Sequence, residues 1–258
     1  MRSVKLSFIE QNQIAIITLD RPEVKHAFHT KMASELIEHL HTVRSGKVRA
    51  VILTSSTDDA FCTGADLKER KNMTDQQWEE QHQLFEEMFN TLATMDCPTI
   101  TAMNGYALAG GLELALNTDM IIAGKNVRIG LTEVTRGIMP GGGGARLLPK
   151  RVPLHIAKEW LFTGAIIEAE QAYKAGLFNK LVETIDVLKV AIQLARRIAE
   201  NAPLGVSGVK KVANQSTLPF EQAFALEIET YNKVIRSADR NEGILAFNEK
   251  RKPIFKGE

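Results

Sequence analysis

Cysteine is scarce in this chain. Cys62 and Cys97 are the only two in 258 residues, and they stand in no metal-ligand or redox spacing. No cysteine-based metal centre or dithiol motif is therefore encoded, and a reducing compartment is indicated. Charge of one sign is lacking too: 32 Lys plus Arg face 31 Asp plus Glu, a formal net charge of +1. With no global field, composition does not argue for nucleic acid or an anionic membrane as partner. No apolar run approaches the roughly 18 residues that a membrane-spanning helix needs. The opening "MRSVKLSFIEQNQIAIITLDRP" alternates and is broken by charge, so it lacks the apolar core of a signal peptide. These absences together predict a cytoplasmic protein. What is present is ordinary, with 44% hydrophobic and 24% charged residues. The length suits one large α/β domain, or such a domain with a smaller appendage.

Periodicity divides the chain into two textures. Residues 3–9 and 13–19 read as paired strands around the polar turn Glu10–Asn12. A helix is predicted over about 30–43, with Met32, Leu36, Ile37 and Leu40 on one face. "VRAVILTSS", "PTITAMNG" and "DMIIAG" are short apolar runs that read as buried strands, separated by helices over about 74–95 and 110–117. Such alternation predicts right-handed crossovers and a largely parallel sheet. Beyond "GIMPGGGG" the pattern is helical, over about 154–162, 168–175, 186–201, 203–214 and 218–248. The four glycines at 141–144 argue against a regular element there. The expected organisation is an α/β core over 1–195 and a helical C-terminal module over 196–258.

Three turns carry residues of chemical interest, each after a strand-like run, where parallel sheets hold their ligands. In "FCTGADL" the glycine is either a plain turn or a device that leaves the Ala65 N–H aimed at a ligand. In "NGYALAGGLELAL" the pair Gly110–Gly111 opens a helix whose first N–H groups have no internal partner. Two such donors from separate turns would make an oxyanion hole for a carbonyl becoming an enolate. That helix also carries Glu113, between Leu112 and Leu114. It lies either on a wet face or in a dry site, where an unpaired carboxylate shifts its pKa. The third turn, "GLTEVTRGIMPGGGG", offers Glu133, 20 residues on. It is either a surface carboxylate or the partner of Glu113, and two converging carboxylates suit general acid–base work.

Taken together, "FCTGADLKE", "NGYALAGGLELAL", "GLTEVTRGIMPGGGG" and the ending "EGILAFNEKRKPIFKG" resemble the enoyl-CoA hydratase/isomerase family, the crotonase superfamily. The resemblance runs from about Val4 to Gly257. Its motifs look most like the 3-methylglutaconyl-CoA hydratase branch. It implies a spiral of ββα repeats and an oxyanion hole at the N–H groups of Ala65 and Gly110. It implies Glu113 and Glu133 as the glutamates that hold and activate water, with the Gly141 N–H beside that water. The segment Ala65, Asp66, Leu67 and Lys68 corresponds to the grip on coenzyme A, and Lys25 and Ala27 to the turn beside its adenine. The implied reaction adds water across the 2,3 double bond of a 2-enoyl-CoA, in fatty-acid or branched-chain amino-acid breakdown. Neither metal nor cofactor is implied beyond the coenzyme A of the substrate. Trimers or dimers of trimers are implied as well, the C-terminal helices packing on a neighbour and covering the site.

The chain departs from the family at His26, where relatives commonly have Asn, and at Ala145–Arg146–Leu147, where Thr-Gln-Arg is usual. His26 is expected to be solvated or to satisfy its turn rather than to act as a base. Alternatives within the family are 3-methylglutaconyl-CoA hydratase proper and enoyl-CoA isomerase, although isomerases often keep only one of the two glutamates. From another class, an RNA-binding module would need a basic face. The only concentrated charge is "EKRKPIFK", which faces either coenzyme A phosphates or solvent. For acyl specificity, Arg136 is a candidate by its nearness to Glu133 in sequence.

Overall fold

Two stacked sheets that share successive strands organise the protein. The structure is a computed structural model and describes residues 2–258. The elements that place the site are β1 (Val4–Ile9), β2 (Ile14–Leu19), α1 (Thr30–Arg44), β3 (Ala50–Ser55), β4 (Ala60–Cys62), α2 (Leu67–Arg70) and α3 (Asp75–Ala93). They continue with β5 (Thr99–Met103), β6 (Tyr106–Leu108), α4 (Gly110–Leu116), β7 (Met120–Gly124), β8 (Arg128–Gly130) and α5 (Gly144–Leu147). Next come α6 (Leu154–Thr163), β9 (Ile167–Glu168), α7 (Ala169–Lys174), β10 (Lys180–Val182) and α8 (Val187–Ala199). The chain closes with α9 (Pro203–Ala213), α10 (Phe220–Val234) and α11 (Ala238–Asn248).

The larger sheet has the order β1-β2-β3-β5-β7-β10 and the smaller one β4-β6-β8-β9. All pairings are parallel except β1 with β2 and β8 with β9. The chain therefore lays a strand in the first sheet, steps to the second, then runs a helix, three times over: β3–β4, β5–β6 and β7–β8. This is the spiral of ββα repeats. The period of two along each strand divides its residues between two cores. Val51 and Leu53 join the core under α1 and α3. Ala50 and Ile52 join a smaller one closed by Val187, Ala191, Ala195 and Ala199, an i, i+4 stripe of mostly small residues on α8. The boundary expected at residue 195 falls inside α8, which packs on the sheet as far as Ala199.

Four local expectations are corrected. The strands β4, β6 and β8 lie where turns were expected, each only three residues long. Short strands β9 and β10 interrupt the helical half. The predicted helix over 218–248 is two helices, because Ser237 accepts a hydrogen bond from the Arg240 N–H and starts α11 afresh. The glycine run is not wholly irregular, since Gly143, at φ +104°, turns the chain into α5 at Gly144. The C-terminal helices are fastened to the core by the Lys210–Asp119 ion pair at 2.8 Å. Arg49 adds hydrogen bonds to the carbonyls of Ala199 and Phe255. Among the described residues, no helix is long and apolar enough to cross a membrane.

Candidate active site

Because β4, β6 and β8 are adjacent and parallel, the segments that follow them leave the same edge of the small sheet. Those segments begin at Thr63, Ala109 and Leu131, and they carry Ala65, Gly110–Glu113 and Glu133. The three turns singled out in the sequence are thereby brought together.

The Ala65 N–H is directed by its neighbours. Phe28 donates to the Gly64 carbonyl at 2.9 Å and accepts from the Asp66 N–H at 2.9 Å. In this parallel bridge the polar groups of Ala65 point away from Phe28. The Gly110 N–H is the first of α4 and has no partner within that helix. Ala109 delivers it from a strained backbone, φ +49° and ψ −128°, held by its N–H donating to the Gly130 carbonyl at 2.7 Å. A non-glycine residue there costs about 1–3 kcal/mol, which surrounding structure must outweigh. A Cβ on Gly110 would come within 2.6 Å of the Phe28 ring, and one on Gly111 would collide with the Cys62 carbonyl. Gly110 is thus dictated by the close approach of Phe28, and Gly111 by close packing of α4 on β4.

Glu113 is 3% exposed, so the dry alternative holds. Its Oε1 accepts from the N–H groups of Gly142 at 2.7 Å and Gly144 at 2.8 Å. Burial pushes its pKa up, and the two N–H groups pull part of the way back. Glu133, 7% exposed, stands in a single helical turn after β8, and neither of its carboxylate oxygens has a hydrogen-bond partner in the protein. Burial lifts it to about 7, its own backbone N–H pulls part of the way back, and the negative charge of Glu113 adds a smaller rise. The two carboxyls therefore sit in unequal surroundings, one held by donors and one bare.

The two expected coenzyme A segments are tied to each other. Arg21 pairs with Asp66 and donates to the Ala27 carbonyl at 2.6 Å. Asp66 also caps α2 by accepting from the Lys68 N–H at 3.0 Å. Its carboxylate is thus a clip between segments. Ala27 is buried, whereas Lys25, Leu67 and Lys68 are exposed, and Lys25 Nζ lies 4.7 Å from the centre of the Tyr106 ring. His26 is buried, not solvated: Nδ1 accepts from the Arg21 N–H at 3.0 Å and Nε2 meets Thr57 Oγ1 at 2.9 Å. It satisfies its turn, and burial lowers its pKa. Gly141 is exposed and lies against His82. The donors to Glu113 are its neighbours Gly142 and Gly144. Arg136 is exposed and bonds Thr135. Sequence reasoning missed Arg21, Phe28, Arg70 and Asn117, of which only the Arg-Pro before the Lys25 turn left a visible trace. No three His, Cys, Asp or Glu side chains among the described residues cluster so as to hold a metal ion.

A two-sheet ββα spiral with this catalytic-looking edge defines a crotonase-type α/β fold. The family described as Enoyl-CoA hydratase/isomerase matches residues 9–258. The chain is 37% identical to "Probable enoyl-CoA hydratase 2, mitochondrial" of Arabidopsis thaliana, over 98% of this chain and 86% of the relative. It is 33% identical to "Methylglutaconyl-CoA hydratase, mitochondrial" of Mus musculus, over 96% of this chain and 81% of the relative. The crystal structure of an enoyl-CoA hydratase from Bacillus anthracis superposes with a TM-score of 0.95 at 34% identity, over 99% of this chain and 100% of that one. The chain belongs to the enoyl-CoA hydratase/isomerase family, a family of enzymes that act on acyl-CoA thioesters.

Proposed function

We propose that the protein is an enoyl-CoA hydratase, adding water across the 2,3 double bond of a 2-enoyl-CoA to give the 3-hydroxyacyl-CoA. The observation that carries this is the unequal pair of buried glutamates, Glu113 on two backbone donors and Glu133 bare at about 7. The thioester oxygen accepts from the N–H groups of Ala65 and Gly110, which stabilise the enolate. Glu113 takes a proton from water as its oxygen bonds C3, and Glu133 gives a proton to C2. Burial raises both carboxyls, Glu133 to about 7, which suits it to proton transfer near neutral pH. Coenzyme A is gripped along Lys25–Ala27 and Ala65–Lys68. The chemistry calls for no metal and no further cofactor.

Hydration kinetics with crotonyl-, longer enoyl- and 3-methylglutaconyl-CoA test the proposal. Saturable hydration of at least one is expected, and double-bond migration without hydration would favour an isomerase. A melting temperature raised by RNA but not by coenzyme A esters would favour the RNA-binding alternative. That alternative draws little from the basic C-terminus, where Arg251 is paired with Glu242 and Glu249. A cytoplasmic location and a trimer or dimer of trimers belong to the same proposal. Cys62 and Cys97 are free, as in a reducing compartment. Both curated relatives above carry "mitochondrial" in their names, so cell fractionation decides the location.

Arg70 favours a narrower substrate class. Its guanidinium lies 4.0 Å from the Trp78 ring centre and 5.2 Å from that of Phe85, and its Nε donates to Gln81. Among the described residues no carboxylate lies within ion-pair distance of it, although the charge of the adjacent Glu69 acts on it. Phe85 meets Phe28 edge-on at 4.8 Å, and Phe28 abuts Gly110. A half-buried cation linked through the Phe85 and Phe28 rings to the edge that carries Gly110 suits an acyl chain ending in a second carboxylate, as in 3-methylglutaconyl-CoA. Arg70→Met is expected to cut kcat/KM for that substrate about 10- to 100-fold and to leave crotonyl-CoA nearly unaffected. Equal losses on both substrates would argue against this narrower class.

A further inference from the structure

Asn117 lies just past the end of α4, one turn beyond Glu113, and is 8% exposed. Its amide Nδ2 donates to two backbone carbonyls, those of Glu113 and Gly142, each at 2.8 Å. Both partners can only accept, so chemistry settles which end of the amide faces them. One of these bonds is local, four residues back along the helix. The other spans 25 residues to the glycine run.

What that second bond holds is specific. The peptide from Gly142 to Gly143 lies between the two peptides whose N–H groups, Gly142 and Gly144, donate to Glu113 Oε1. Glycines have the widest choice of backbone dihedrals, so a run of four is the segment least able to hold two donors in register unaided. Gly142 is held from a further side by the Phe89 ring, which leaves no room for a Cβ.

We infer that Asn117 is a positioning residue for the Glu113 carboxylate: it fixes the glycine run so that the Gly142 and Gly144 N–H groups stay on Oε1. The inference rests on the proposal that Glu113 takes the proton from water. The charged groups facing this region are Glu133 after β8, His82 with Glu86 from α3 beside Gly141, Arg146 beside Gly143, and Arg151 on the carbonyl end of α4. A substitution at Asn117 leaves all of them in place.

Two variants separate bridging from helix capping. Asn117→Ala removes both bonds. Asn117→Ser keeps a hydroxyl that can reach the carbonyl four residues back but not Gly142. With folding verified by circular dichroism and thermal unfolding, kcat and KM are measured from pH 5 to 10 on the enoyl-CoA that the wild type hydrates best. Both variants are expected to lose about 10- to 100-fold in kcat, with KM nearly unchanged. The acidic limb of the profile should move up by about half to one pH unit, because loosened donors no longer favour the charged form of Glu113. Wild-type kcat and acidic limb in Asn117→Ser would reduce the residue to a helix cap and overturn the inference; if Asn117→Ala does not fold, the Ser variant alone decides. Glu113→Gln, run in parallel, separates the two levels. Full turnover in Glu113→Gln would overturn the assigned role of Glu113 and the inference with it. An inactive Glu113→Gln beside unaffected Asn117 variants would overturn the inference alone.

Discussion

Arg21 Nη2 lies 3.1 Å from Asp66 Oδ2, and the two side chains are only 14% and 12% exposed. This pair joins a turn with two consecutive left-handed residues, Lys25 and His26, to the turn that presents Ala65. Burial alone would raise the Asp66 carboxyl, but Arg21 and the Lys68 and Glu69 N–H groups outweigh it and hold the pKa below the usual carboxylate value of 3.8. A pKa depressed on folding contributes stability that is present above the unfolded value and lost as pH falls through the folded one. Asp66→Ala is therefore expected to cost about 2 kcal/mol at pH 7 and progressively less below about pH 4. It should raise KM for coenzyme A esters more than it lowers kcat. Urea melts at the two pH values, with steady-state kinetics, check this. A variant as stable as wild type at pH 7 would show the pair to be incidental.

Glu133 makes the opposite prediction about stability. Its pKa rises from 4.5 to about 7 on folding, so the folded chain binds this proton more tightly than the unfolded one. The stability linked to it is whole below pH 4.5, falls as pH rises to about 7, and is constant beyond. Glu133→Gln cannot ionise and escapes that loss. The variant is expected to melt at a higher temperature than wild type at pH 8, with the gap closing towards pH 4. Such a trade of stability for activity is common where a site buries a charge. Matching melting curves at pH 8 would mean that Glu133 is better solvated than its 7% exposure implies.

The parts of this architecture visible in the sequence are those with long signals. The helices Thr30–Arg44 and Asp75–Ala93 have enough residues to show a period, and the strands Ile14–Leu19 and Ala50–Ser55 are apolar runs long enough to stand out. The second sheet was not legible because three residues such as Ala60–Cys62 cannot display alternation. Glu113 and Glu133 stood out because an ionisable group among glycines and leucines is conspicuous. Their unequal surroundings were not legible, since the donors to Glu113 come from Gly142 and Gly144, 29 and 31 residues away. Asn117 carried no local signal at all. An asparagine after a helix is an ordinary terminator, and only the fold shows that it reaches Gly142.

The α10 helix leaves Phe220, Phe224, Ile228 and Tyr231 exposed along one face, with the Phe220 and Phe224 rings stacked at 5.8 Å. Apolar residues repeated at that helical spacing mark a face built to be covered. The expected cover is another copy of the chain. Sedimentation should give three or six times the 28.6 kDa chain mass, and Phe220→Glu with Phe224→Glu should shift it towards smaller species. A wild-type monomer at micromolar concentration would rule the assembly out.

The two glutamates are expected to act as a unit. Delivering water to C3 and a proton to C2 requires one carboxylate that accepts while the other donates, and the bare, neutral-leaning Glu133 suits the donor. Glu113→Gln and Glu133→Gln preserve shape and remove proton transfer, a loss of roughly 10²–10⁴-fold in kcat for each. Once either group is gone the same water can no longer be both activated and matched by a proton, so the double variant should be little worse than the worse single one. KM should change little in all three, because the proposed oxyanion hole would hold the thioester oxygen through backbone N–H groups rather than through either side chain. Crotonyl-CoA hydration measured on the four proteins, each free of wild-type enzyme, tests the set. Losses that multiply in the double variant would mean that the two carboxyls serve separate steps, and full turnover in either single variant would remove that glutamate from the mechanism.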